Sequence, residues 1–209
     1  MDEVKLISLS RPTRHWLLPF ALASATILFS QTDALAILRF TRSAVEDHEF
    51  WRLISGHLVH LGHGHLISNL AALLGIWLLI GQQFNLLTWL WISIFCLLGI
   101  DLGILYLDPD VQWYAGLSGL LHGYLMAGVT HHILQNPLSS SHEALVISGA
   151  VLVKLTYEQF IGSLPGSSEI IGGAVLVNSH LYGAASGAFA SLLLWSLGPL
   201  LCVPRTTNT

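Results

Sequence analysis

Three polar clusters open three apolar stretches of this chain, and their residue types suit acyl-transfer chemistry. Ser118 stands in Ala115-Gly116-Leu117-Ser118-Gly119-Leu120-Leu121-His122-Gly123; His60, His65 and Asn69 lie at the opening of a second stretch; Asn178 and His180 begin a third. A serine hydroxyl is a weak nucleophile until a neighbouring base takes its proton, and His180 is the natural base. His65 and Asn69 are four apart and so share a helical face. Both can donate hydrogen bonds to the oxyanion of a tetrahedral intermediate. The Ser118 backbone N–H, free at a helix start, is a further donor. Taken singly, each residue has a plain structural reading. A serine in a membrane helix commonly bonds back to its own backbone, a single histidine is more often structural, and His65 and Asn69 could be interhelical glue. The chemistry depends on the clusters meeting.

Other polar residues call for the same weighing. Lys154 and Glu158 are again four apart in an apolar stretch. Ionisable groups inside a membrane pair with each other or serve function, so they read either as a self-satisfied ion pair or as part of a substrate site. Asp101 is comparable but nearer a loop. His57, His60, His63 and His65 invite a zinc reading, yet no cysteine or paired carboxylate accompanies them. No metal and no cofactor are expected. Cys96 and Cys202 give no disulfide framework.

The elements that must position these residues belong to a membrane. The chain is 53% hydrophobic and 10% charged, against about 25% charged in soluble domains, and its mean hydropathy is +0.66. A net charge of -4 with no basic tract argues against nucleic-acid binding. Six stretches approach the roughly 20 apolar residues that a span requires: Trp16 to Thr32, His65 to Ile80, Leu86 to Tyr106, Leu117 to Leu134, Ala144 to Ile161 and Val177 to Leu197. Short polar breaks separate the later ones, so the expectation is an all-α bundle of six transmembrane helices over 16–201, with tails at 1–15 and 202–209. Lys5, Arg11, Arg14 and Arg205 in the tails face Arg39, Arg42 and Arg52 in the first loop. The charge bias near the first helix favours cytoplasmic termini. With six spans, the second, fourth and sixth run in one direction, so His65, Ser118 and His180 share one leaflet. Gly119 and Gly123 in the fourth span, with Gly183 and Gly187 in the sixth, are small residues at the spacing that lets helix backbones approach closely in lipid. Such an approach would carry His180 to Ser118.

These residues resemble the rhomboid family of intramembrane serine proteases. The resemblance rests on Gly116-Leu117-Ser118-Gly119, on His60, His65 and Asn69 with their spacing, on the segment from His180 to Gly187, and on Trp51-Arg52 in the first loop. Within that family the chain is similar to the bacterial rhombosortases, through Gly116 to Gly123, Lys154 to Gln159, Leu164-Pro165-Gly166-Ser167, Ile171-Gly172-Gly173 and His180 to Gly183. The resemblance implies a rhomboid-like six-helix fold and a Ser118–His180 dyad with His65 and Asn69 on the oxyanion. It also implies single-span substrates carrying a Gly-Gly-containing C-terminal anchor, in the bacterial inner membrane with the site opening to the periplasm. No acidic third member of the dyad is evident. His122 stands where many rhomboids carry an aromatic residue packed on the catalytic imidazole, and with His60 it is a candidate modulator. Two rival readings are an inactive rhomboid-like membrane chaperone, which usually lacks the serine or histidine, and a histidine-rich metal transporter, which leaves Ser118 unexplained.

Overall fold

The computed structural model describes residues 15–30 and 34–197. Lys5, Arg11, Arg14, Thr32, Cys202 and Arg205, and with them both expected tails except His15, lie outside the described residues. The described residues form ten α-helices and a short antiparallel strand pair. Long helices carry the architecture: α1 (Leu17–Phe29), α5 (His63–Ile80), α6 (Leu86–Tyr106), α7 (Ser118–Gln135), α8 (His142–Phe160) and α10 (Val177–Leu197). Each falls on one of the apolar stretches of the sequence. Among the described residues, His63–Gln83 and Leu86–Tyr106 are long and apolar enough to cross a membrane by composition alone, with mean hydropathies of 1.7 and 1.9. The helices α7, α8 and α10 are diluted by the polar residues of interest, among them Ser118, His122, Lys154, Glu158, Asn178 and His180. Leu78, Leu87, Val146, Val153 and Phe160 leave large apolar side chains exposed on three different helices. Apolar surface of that extent marks contact with lipid or a partner.

The core of the bundle is aromatic on one face of α7. Trp77 of α5, Trp89 of α6 and Tyr124 of α7 are fully buried, with ring centroids 4.6 Å apart for the two indoles and 5.3 Å apart for Trp89 and Tyr124. Their polar tips are satisfied, as buried donors must be. The Trp77 indole donates to the His15 carbonyl at 3.0 Å, and Trp89 donates to the Gly81 carbonyl at 3.1 Å. The Tyr124 hydroxyl meets the Ser93 hydroxyl at 2.6 Å.

On its other face α7 meets α10 through glycine. A Cβ on Gly183 would overlap the Gly119 carbonyl, and one on Gly187 would overlap the Gly123 carbonyl. The two backbones are therefore in direct contact, which fixes both the axial register and the rotation of α10 against α7.

The first loop is a built object. It contains α2 (Ala34–Leu38), β1 (Phe40–Thr41), α3 (Arg42–Glu46) and α4 (Arg52–Ser55). β1 pairs with β2 (Trp113–Tyr114), matching Phe40 to Tyr114 and Thr41 to Trp113. Arg42 donates to the carbonyls of Ile104, Leu105, Asp108 and Val111, satisfying acceptors that the end of α6 leaves open. Arg52 donates to Glu49 and to the carbonyls of Ala36 and Arg39. Because β2 lies four residues ahead of Ser118, the loop braces the segment that presents it.

Candidate active site

Ser118 is the first residue of α7, and the turn before it is held at several points. Gly116 has φ +131, a conformation open to glycine and strained for other residues. Its N–H donates to the Gly56 carbonyl at 3.0 Å, and its carbonyl accepts the Tyr114 hydroxyl at 2.5 Å. A Cβ at Gly116 would lie 2.7 Å from Nε2 of His65, so the imidazole tip of His65 rests against this turn. The Leu61 N–H donates to His65 Nδ1 at 3.4 Å. That leaves the His65 proton on Nε2, directed towards the turn that carries Ser118.

The N-terminal ends of α5, α7 and α10 converge here. His180 Nε2 lies 3.0 Å from Ser118 Oγ. His180 is buried and Ser118 is half-buried, so the pair is reached from one side. Asn69, one turn below His65, is buried, and its Nδ2 has no hydrogen-bond partner among the described residues. Leaving a buried amide donor unpaired costs about 1–3 kcal/mol. His60 is buried with its ring edge-on to His65 at 4.8 Å. His122 stacks on His180, with centroids 4.3 Å apart and planes 19° from parallel. Its Nδ1 donates to the Ser118 carbonyl at 2.7 Å. His122 thus packs against His180 as a flat ring, held by its own helix, and makes no hydrogen bond to it.

One expectation needs correcting. The sequence offered no acidic partner for the dyad, yet Glu158 Oε2 lies 2.9 Å from His180 Nδ1. Glu158 also keeps its helical pairing, with Lys154 Nζ 2.7 Å from Oε1, and Lys154 Nζ comes within 3.3 Å of His180 Nδ1. The pair is an ion pair in the structure, and its carboxylate also reaches His180. The i,i+4 spacing gave the pairing, but the rotation of α8 against α10 decides where the carboxylate points. That rotation is set by packing of Val151 and Leu155 on Ala184, which leaves no trace in spacing.

The remaining histidines of the first cluster disperse. His57 pairs with Asp101 of α6 at 3.1 Å, both buried, while His63 is exposed at the start of α5. The short helix α9 (Ser167–Ile171) packs on the start of α5, with the Ile170 carbonyl where a Cβ on Gly64 would stand. Tyr114, Gly56 and Leu61, which hold the Ser118 turn and orient His65, had no signal in the sequence, since two of them act through backbone atoms.

The model of the Rhomboid domain matches residues 47–197. The chain belongs to the rhomboid family. Rhomboids are integral membrane proteins and intramembrane serine proteases that act on membrane-protein substrates within the bilayer. The matched region contains every residue placed at the site above. No curated protein matches the chain.

Proposed function

We propose that this chain is an active serine endopeptidase of the rhombosortase subgroup. In this reading it releases exported proteins from the membrane by cutting near Gly-Gly-containing C-terminal anchors. The observation that carries the reading is the 3.0 Å contact between Ser118 Oγ and His180 Nε2 at the meeting of three helix N-termini. An inactive rhomboid-like chaperone has no need of that contact. The resemblance of the Lys154–Gln159 and Leu164–Ser167 segments supports the subgroup.

The chemistry runs as follows. Ser118 Oγ attacks the scissile carbonyl as its proton passes to His180 Nε2. The oxyanion is met by His65 Nε2–H, the Ser118 backbone N–H and Asn69 Nδ2, the last a donor with no partner among the described residues. The tetrahedral intermediate collapses as His180 hands the proton to the leaving amine, and water resolves the acyl-enzyme through the same base. Neither a metal nor a cofactor enters. Glycines at the anchor favour the reaction because they unwind readily from a helix, exposing a carbonyl to a nucleophile that is itself fixed at a helix start. The substrate helix approaches beside α8, whose outer face is apolar and exposed at Val146 and Val153.

The six long helices serve as six spans of a bacterial inner-membrane protein, with both termini cytoplasmic. The N-terminal ends of α5, α7 and α10 then open towards the periplasm, where exported substrates are. The test is a reporter with a Gly-Gly-containing membrane anchor, co-reconstituted in liposomes. Wild type releases the soluble portion, and Ser118→Ala lowers release to background, at least ~10³-fold, without loss of helical content. Equal release by the Ser118→Ala protein would overturn the assignment, as would failure of a fluorophosphonate to label Ser118 in the wild type.

A further inference from the structure

Glu158 and Lys154 stand closer to the base than a structural ion pair on α8 requires. The Glu158 side chain is 3% exposed, and its two oxygens are divided between two partners. Oε2 meets His180 Nδ1 at 2.9 Å, and Oε1 meets Lys154 Nζ at 2.7 Å. An ionised carboxylate only accepts hydrogen bonds. Nδ1 must therefore carry the proton, and the lone pair of the neutral imidazole is on Nε2, 3.0 Å from Ser118 Oγ. That is the tautomer a general base needs. The 3.3 Å approach of Lys154 to Nδ1 is then not a hydrogen bond, because both nitrogens carry protons. It arises because both donors reach for the same carboxylate.

We infer that Glu158 is the positioning acid of a Ser118–His180–Glu158 triad, and that Lys154 balances its charge so that His180 stays neutral at rest. This rests on the serine-protease reading above and goes beyond the dyad expected from the sequence. When Ser118 attacks, its proton moves to Nε2. Glu158 remains a carboxylate throughout, holding the Nδ1 proton and stabilising the imidazolium by charge; no proton crosses to it. Lys154 keeps its three protons and offsets part of that stabilisation. The groups facing His180 from the surrounding helices are His65 of α5, Ser118 and His122 of α7, and Lys154 and Glu158 of α8. Among these, Glu158 is the one anion.

The two charges make opposite predictions, and a purely structural pair does not. The measurement is the rate of Ser118 labelling by a fluorophosphonate, read against pH in detergent micelles, alongside kcat and KM for the anchored reporter. Glu158→Gln keeps the shape but can turn its amide N–H to Nδ1, favouring the wrong tautomer. Its kcat falls on the order of 10²–10⁴-fold with KM little changed. Its acidic limb moves to lower pH, since a cation without its counter-charge disfavours imidazolium. Lys154→Met leaves the carboxylate unbalanced, loses far less of the plateau, and moves the acidic limb to higher pH. Glu158→Asp recovers part of the rate lost in Glu158→Gln and so separates tautomer control from misfolding, with the thermal midpoint recorded for each protein. Limbs that move together, or a Glu158→Gln protein with wild-type kcat, overturn the triad. If Ser118→Ala is inert while Glu158→Gln is normal, the protease reading stands and this inference alone fails. Persistent cleavage by Ser118→Ala sinks the reading beneath it.

Discussion

Helix α7 has two faces built on opposite principles. Towards α5 and α6 it presents Tyr124 to a slab of buried indoles whose polar tips are all bonded. Towards α10 it presents Gly119 and Gly123, with no side chain at all, and the backbones touch. The aromatic face holds the bundle together through area and specific ring contacts. The glycine face works through close backbone approach, and it sets the distance between Ser118 and His180. Stability and alignment are thus supplied by different sides of one helix, and substitutions on the two sides should fail differently.

The largest effect is expected at the seam. Gly183→Leu introduces a side chain where the Gly119 carbonyl already stands, so α10 must move away from α7. Activity should fall by more than ~10³-fold, because displacements of about 1 Å at a reacting centre already cost ~10²-fold. Covalent labelling of Ser118 should fall in parallel. Next comes Asn69→Ala, which removes a donor that has no partner among the described residues. It should lower kcat by about 10²–10³-fold, as loss of one oxyanion donor does, while the unfolding midpoint stays the same or rises. A clear loss of stability at Asn69 would mean the amide has a structural partner and the comparison is misdrawn. The smallest effect on turnover is expected at the slab. Trp89→Phe forfeits the bond to the Gly81 carbonyl and part of the ring contact with Trp77 and Tyr124. It should cost ~1–3 kcal/mol of stability, read as a lowered midpoint in denaturant, with kcat of the folded fraction within about twofold of wild type. Equal loss of turnover at Trp89 and Gly183 would erase the distinction between the faces.

The same division explains what could be read in advance. Apolar runs give helices, so the boundaries Leu86–Tyr106 and Val177–Leu197 coincide with α6 and α10, and α7 starts one residue later than expected. Small residues at four-residue spacing on two stretches give a seam, and with it the Ser118–His180 meeting. Neither signal reports how a helix is rotated when its packing is ordinary. Glu158 is the instance: its pairing with Lys154 follows from spacing, but its contact with His180 depends on how Leu155 and Val151 seat against Ala184. The first loop was illegible for another reason. Strands of two residues have no periodicity, and Arg42 and Arg52 work by donating to carbonyls, which every residue has. Its arginines look like a charge signal, yet two of them serve as fasteners.

The seam between α7 and α10 has a consequence for how such a chain can vary. A contact between bare backbones has no intermediate settings, because the smallest replacement for glycine adds a whole methyl group into a carbonyl. Divergence along this helix pair would be all or none, and the spacing of Ser118 and His180 is frozen once the glycines are in place. Helix α8 touches His180 through long, flexible side chains, where a methylene or a charge can be exchanged in small steps. Lineages that retune this imidazole would therefore do so from α8, leaving the α7–α10 pair as inherited.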